Sequence, residues 1–155
     1  MQQVSFRPAH LSDLPAIIAL LAEDALGRGR EMVSTPPDPR YLAAFEAIKA
    51  DPNQMLVVAA EGEAVVGTLQ ITFIPGLSRA GAWRGQIEAV RVAASRRGNG
   101  LGQRMIAWAI AESRARGCGL VQLTTDKSRA GAHRFYEKLG FIGSHEGYKL
   151  ALRPD

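Results

Sequence analysis

Apolar residues recur along this chain with two periods, and the switches between them mark its elements. Val4 to Pro8 reads as a short strand. Ser12 or Asp13 then offers a helix cap, Pro15 fits the first turn, and Leu14, Ile17, Ile18, Leu21 and Ala25 return at spacings of three and four. This predicts a helix with one apolar face to about Leu26, ended by Gly27-Arg28-Gly29-Arg30. The proline-rich run from Glu31 to Pro39 predicts a mobile loop, either a lid over a substrate or an ordinary surface connection. Tyr41 to Ala50 is a second helix, carrying Leu42, Phe45 and Ile48. Met55 to Glu61 and Ala64 to Ile74 form an antiparallel hairpin about Glu61-Gly62-Glu63, and Trp83 to Val92 is the next strand. Leu101, Met105, Ile106, Trp108, Ala109 and Ile110 cover more than half the circumference of a helix running to Arg116, as a helix laid on a sheet requires. Leu120 to Thr125 follows as a strand whose helical crossover implies parallel pairing. Beyond a further helix, alternating apolar residues from Phe141 to Leu152, with Gly143 and Gly147, predict a terminal strand or pair of strands.

The strand ending at Val92 feeds Arg96-Arg97-Gly98-Asn99-Gly100-Leu101-Gly102-Gln103, and this turn opens onto the long helix. The first N–H groups of a helix lack internal partners and carry partial positive charge, so a phosphate-bearing ligand suits the position. Glycines let the backbone approach such a ligand with no Cβ between them. A Walker loop is excluded, because no Lys-Ser or Lys-Thr follows the glycines, and Gln103 or Met105 stands where a dinucleotide fingerprint needs its last glycine. Arg97, Gly100 and Gly102 do fit Arg/Gln-x-x-Gly-x-Gly/Ala, and in this the turn resembles the coenzyme A loop of the GCN5-related N-acetyltransferases.

A second motif points the same way. In Ala132-His133-Arg134-Phe135-Tyr136-Glu137-Lys138-Leu139-Gly140-Phe141, helical spacing puts Ala132, Phe135, Tyr136 and Leu139 on one side, with Gly140 as the C-cap. Plain packing accounts for Phe135, Leu139 and Phe141; a buried tyrosine hydroxyl needs a partner that packing does not supply. Phe-Tyr-x-x-x-Gly-Phe, about 35 residues after the first motif, is similar to the second signature of the same family. The resemblance spans nearly the whole chain. It implies a mixed α/β fold of the acyl-CoA N-acyltransferase kind over a single domain, residues 1–155: a central, mostly antiparallel sheet splayed between strands 4 and 5 and flanked by about four helices. It also implies acetyl-CoA as cofactor, held by Val90, Val92, Arg97, Gly98, Asn99, Gly100, Leu101, Gly102 and Gln103, with Tyr136 facing the coenzyme A sulfur. Family members often carry Asn six residues before the Phe, to hold the pantetheine arm; here that position is Arg129, and Ser128 or Arg129 takes the contact. A dimer is common in the family, so a homodimer stays open.

Composition narrows the picture. With 155 residues, 46% hydrophobic and 22% charged, the chain has enough for one core. A net charge of +4 is too mild and scattered for a nucleic-acid surface. The single cysteine, Cys118, forms no internal disulfide and reads as a buried filler. Met1-Gln2-Gln3-Val4 lacks a leader pattern and no run of about eighteen apolar residues occurs, so a cytoplasmic location without membrane attachment is expected. No metal is expected, and the histidines at 10, 133 and 145 are peripheral.

The chemistry sets its own demands. Deprotonating a primary amine of pKa near 10.4 at pH 7 costs roughly 4–5 kcal/mol, so a base is needed, and a proton donor near sulfur speeds departure of the thiolate. Alternation puts Glu88 on one face with Gln86, Val90 and Val92, and Arg91 on the other. Glu88, partly desolvated there, is the candidate base and Tyr136 the candidate acid; a solvated charge or a salt bridge remains the plainer alternative for Glu88. The expected function is direct acetyl transfer from acetyl-CoA to a small-molecule or peptide amine in a ternary complex. The alternatives are a non-catalytic acyl-CoA sensor module and an acyltransferase acting on protein N-termini or lysines.

Overall fold

The computed structural model describes residues 3–153; Met1 and Gln2, part of the N-terminal stretch discussed above, and Pro154 and Asp155 lie outside the described residues. Five strands form one sheet in the order β1 (Val4–Pro8), β2 (Gln54–Glu61), β3 (Ala64–Ile74), β4 (Trp83–Val92) and β5 (Cys118–Leu123). The first four are antiparallel neighbours. β5 runs parallel to β4. Along that pair Gly119 lies beside Trp83, Val121 beside Gly85, and Gln122 Nε2 donates to Gln86 Oε1 at 2.6 Å. β5 stops at Leu123 while β4 continues to Val92.

Helices cover both faces. α1 (Leu14–Ala22) and α3 (Pro39–Ala50) meet through Leu14, Ile18 and Phe45. α5 (Leu101–Ala115) buries Met105, Ile106 and Ala109 against the opposite face, where Ile71 and Ile87 pair across β3 and β4. Its close approach depends on a glycine. A Cβ on Gly85 would collide with Ser113 Oγ and lie 3.1 Å from Ser113 Cβ, and that hydroxyl is fixed by donating to Ala109 O at 2.8 Å. Gly85→Ala should therefore cost about 2 kcal/mol of overpacking, a fall in Tm of about 4–8 °C, and Ser113→Ala in the same chain should restore most of it. Thermal unfolding of the two variants tests this; no fall in the single variant would mean the helix can move away.

Three expectations change. The first helix is not continuous to Leu26: it ends at Ala22, and Asp24 starts a separate turn, α2 (Ala25–Arg28), by accepting from Gly27 N at 2.6 Å. The segment 31–38 is irregular, as its prolines require, yet it is pinned rather than loose. Tyr41 of α3 accepts from Met32 N at 2.9 Å and donates to Glu31 Oε2 at 2.7 Å. Finally, among the described residues no strand occurs after Leu123. Ile142, Tyr148, Leu150 and Leu152 are each at least 85% exposed, because alternation makes a strand only where a neighbouring strand completes its hydrogen bonds. The turn between β3 and β4, α4 (Ser78–Gly81), holds Arg79 and Ala80 in left-handed conformations.

By contact the chain divides into two compact units, one running to Gln122 and one from Leu123. The second unit carries α6 (Ala130–Lys138), closed by Gly140 at φ 92° as the C-cap pattern required.

Candidate active site

The first unit holds the end of β4 and the glycine turn. Thr68 pairs with Arg91 and Gln70 with Glu88, so Leu69 alone spans Ala89 and Val90; this is a β-bulge, with Ala89 at φ 52°. A bulge inverts alternation. Glu88 therefore shares its face with Arg91, through Gln70 and Thr68, whereas Val92 shares the Ile87 face, opposite to what unbroken alternation gave. A left-handed alanine costs about 1 kcal/mol, and such strain is found where backbone must be re-aimed.

The bulge leaves β4 with a usable edge. Ala93 N donates to Val66 O at 2.9 Å, so by alternation the main-chain groups of Val92 turn away from β3, while Val90 sits in the bulge. Their carbonyls accept side-chain donors instead: Val90 O from Arg91 Nη1 at 3.0 Å and Val92 O from Arg97 Nε at 3.2 Å. Glu88 is exposed rather than partly desolvated. Arg91 is ion-paired with Asp24 at 3.3 Å, which brings the start of α2 beside β4.

After a 3-10 turn at Ala94–Arg96, Gly98 and Gly100 take φ values of 78° and 75°, and Gly100 is the N-cap of α5 without any side-chain cap. A Cβ on either glycine would meet nothing within 4 Å. The start of this fifteen-residue helix thus has no side-chain cap, and the arrangement fits a pyrophosphate. Leu101 is 5% exposed, so only its backbone serves the turn. Gly102 is half-buried and Asn99 and Gln103 are exposed.

The two arginines of the turn are committed to carboxylates, which the sequence did not reveal. Arg96 is bidentate to Glu61, whose carboxyl it holds below its ordinary range. Arg97 Nη2 contacts Glu23 Oε2 at 3.0 Å, and Glu23 Oε1 also accepts from Ala94 N at 3.4 Å. These pairs tie the turn to β2 and to the end of α1.

In the second unit, Tyr136 packs edge-to-face between Phe135 and Phe141, with ring centroids 5.1 and 5.7 Å away. The turn before α6 is closed by Asp126, which accepts from Ser128 N at 2.9 Å and from the Ser128 hydroxyl, and whose carboxyl those bonds hold below its ordinary range. Arg129 is the N-cap of α6. His133 Nε2 lies 3.0 Å from Asp126 O, and His145 Nδ1 lies 2.7 Å from the Ser144 hydroxyl. Cys118, half-buried where β5 begins, has its thiol pushed up by burial, the opposite of an activated nucleophile. Among the described residues no group of three metal-ligating side chains occurs, and no helix is long and apolar enough to cross a membrane.

Residues 16–141 match the model of the acetyltransferase (GNAT) family. The chain belongs to that family. It is 35% identical over 108 residues to the aminoalkylphosphonate N-acetyltransferase of Salmonella typhimurium (strain LT2), a match covering 70% of each chain. It is 31% identical over 134 residues to glucosamine 6-phosphate N-acetyltransferase 1 of Oryza sativa subsp. japonica, covering 83% of this chain and 79% of the relative. Among solved structures, a protein from Bacillus halodurans C-125 described as a transcriptional regulator has a TM-score of 0.95 at 48% identity, covering 97% of this chain and all of that one. The GNAT chain is thus an acetyl-CoA-dependent acetyltransferase with the family's fold.

Proposed function

We propose that this acetyltransferase moves the acetyl group of acetyl-CoA to the primary amine of a small anionic metabolite, by direct attack in a ternary complex. The observation that carries the cofactor half is the uncapped start of α5, beside two glycines, Gly98 and Gly100, whose Cβ positions are clear of neighbours. Main-chain amides from Gly98 to Gln103 would hold the pyrophosphate, and the main-chain groups of Val90 and Val92 would hold the pantetheine arm once Arg91 and Arg97 release their carbonyls. Ser128 and Arg129 are the further candidates for cofactor contact. When bound, acetyl-CoA supplies a thioester, whose carbonyl carbon accepts an amine and whose sulfur leaves as thiolate.

The protein's own groups manage protons. Glu88, on the stretch of β4 beyond the end of β5, takes the proton of the incoming ammonium, directly or through water. Tyr136 gives a proton to the departing sulfur. No acetyl-enzyme is needed, since burial keeps the Cys118 thiol protonated. The acceptor class follows the two curated relatives, whose names specify a phosphonate amine and a phosphorylated amino sugar.

Thiol release from acetyl-CoA over a panel of amines tests the proposal directly. The Bacillus halodurans protein's description favours a second reading, an acyl-CoA-responsive module. Binding of acetyl-CoA without thiol release to any amine would select it. Glu88→Gln should lower kcat/KM about 100-fold at pH 7 and lose less as pH rises toward the amine pKa, where free amine needs no base. A pH–rate profile parallel to the parent's would remove Glu88 from the mechanism.

A further inference from the structure

The first unit contains a cavity of about 210 Å³ that none of the chemistry above uses, lined by Arg30, Met32, Arg40 and Tyr41. Two of its four walls are guanidinium side chains and none is a carboxylate. Its geometry is built rather than accidental. Tyr41 fixes the preceding segment by accepting from Met32 N and donating to Glu31. Asp38 caps α3 by accepting from Arg40 N at 2.9 Å. It also takes Arg40 Nε at 2.9 Å and Nη2 at 3.1 Å, so the plane of that fork is set while Nη1 is left over. Arg30 has only a loose pair, its Nε 3.6 Å from Glu31, and is 58% exposed at the side chain.

Its place in the fold matters equally. Glu23 reaches Arg97 and Asp24 reaches Arg91, so the segment leading into this cavity is anchored to the end of β4 and to the glycine turn. We propose that the cavity takes the tetrahedral oxyanion, phosphonate or phosphate monoester, of the acceptor amine, with Arg30 and Arg40 as its ligands; this rests on the N-acetyltransferase function proposed above. A phosphate monoester carries about −1.5 to −2 at pH 7, and the donors that Asp38 and Glu31 leave over, Arg40 Nη1 and the terminal nitrogens of Arg30, can meet its oxygens. The volume lies below the roughly 300–1,000 Å³ of sites for drug-sized ligands and suits the oxyanion end of an acceptor rather than a whole large ligand.

Steady-state kinetics with matched acceptors test the assignment: 2-aminoethylphosphonate, phosphoethanolamine and glucosamine 6-phosphate against ethanolamine and glucosamine. The parent should prefer the anionic acceptors about 100-fold in kcat/KM, and the first two acceptors separate phosphonate from phosphate. Arg30→Ala/Arg40→Ala should raise KM for anionic acceptors about 100-fold, leave kcat and the neutral acceptors nearly unchanged, and keep Tm close to the parent's. Single Lys replacements should recover part of the loss. Equal use of neutral and anionic amines, or a double variant that loses both alike or neither, overturns the assignment while leaving the acetyltransferase function standing. Failure to acetylate any amine despite acetyl-CoA binding overturns that function and this assignment together.

Discussion

Tyr136→Phe should lower kcat about 10²–10³-fold and leave the dissociation constant for acetyl-CoA within about twofold. Only an oxygen is removed. The ring keeps its edge-to-face packing on Phe135 and Phe141. What is lost is a donor whose ordinary pKa, about 10, is close to that of a thiol leaving group, where proton transfer is efficient without a permanent charge. Initial rates of thiol release, with acetyl-CoA affinity measured separately by titration, distinguish the two quantities. A variant as fast as the parent would assign the proton to water or another group.

Gly100→Val should raise the dissociation constant for acetyl-CoA about 100-fold, the equivalent of one or two charge-assisted hydrogen bonds. Gly100 is left-handed, at φ 75° and ψ 4°, and a valine there costs about 1–2 kcal/mol or abandons the conformation. A Cβ at this position meets no neighbouring atom within 4 Å, so the branch begins in open space and Tm should fall by only a few degrees. The damage is to the aim of the α5 amides. Calorimetric titration reads it, and an affinity equal to the parent's would mean those amides do not bind the cofactor.

Much of this molecule could be read before its structure. β1, β3 and β4 begin and end where alternation put them, and α5 begins at Leu101, because local sequence carries turn chemistry and period together. Boundaries set by partners did not show. Asp24 interrupts the first helix by capping a second one, and the segment after Phe141 alternates like a strand without being one. The largest miss was the bulge at Ala89, which turned Arg91 onto the face of Glu88. Its trace is the doubled apolar pair Ala89-Val90 in an otherwise alternating stretch, a signal that parity counting passes over. The commitment of Arg96 to Glu61 and of Arg97 to Glu23 was equally hidden, since the partners are 35 and 74 residues away. That pairing shifts the weight of phosphate binding from side chains to backbone.

The backbone is therefore where the account is tested most directly. Coenzyme A added to isotope-labelled protein should move the amide resonances of Gly98 to Gln103 more than any others in the first unit, with Val90 and Val92 next. If those amides stay fixed while the protein binds coenzyme A elsewhere, the start of α5 is not the pyrophosphate site.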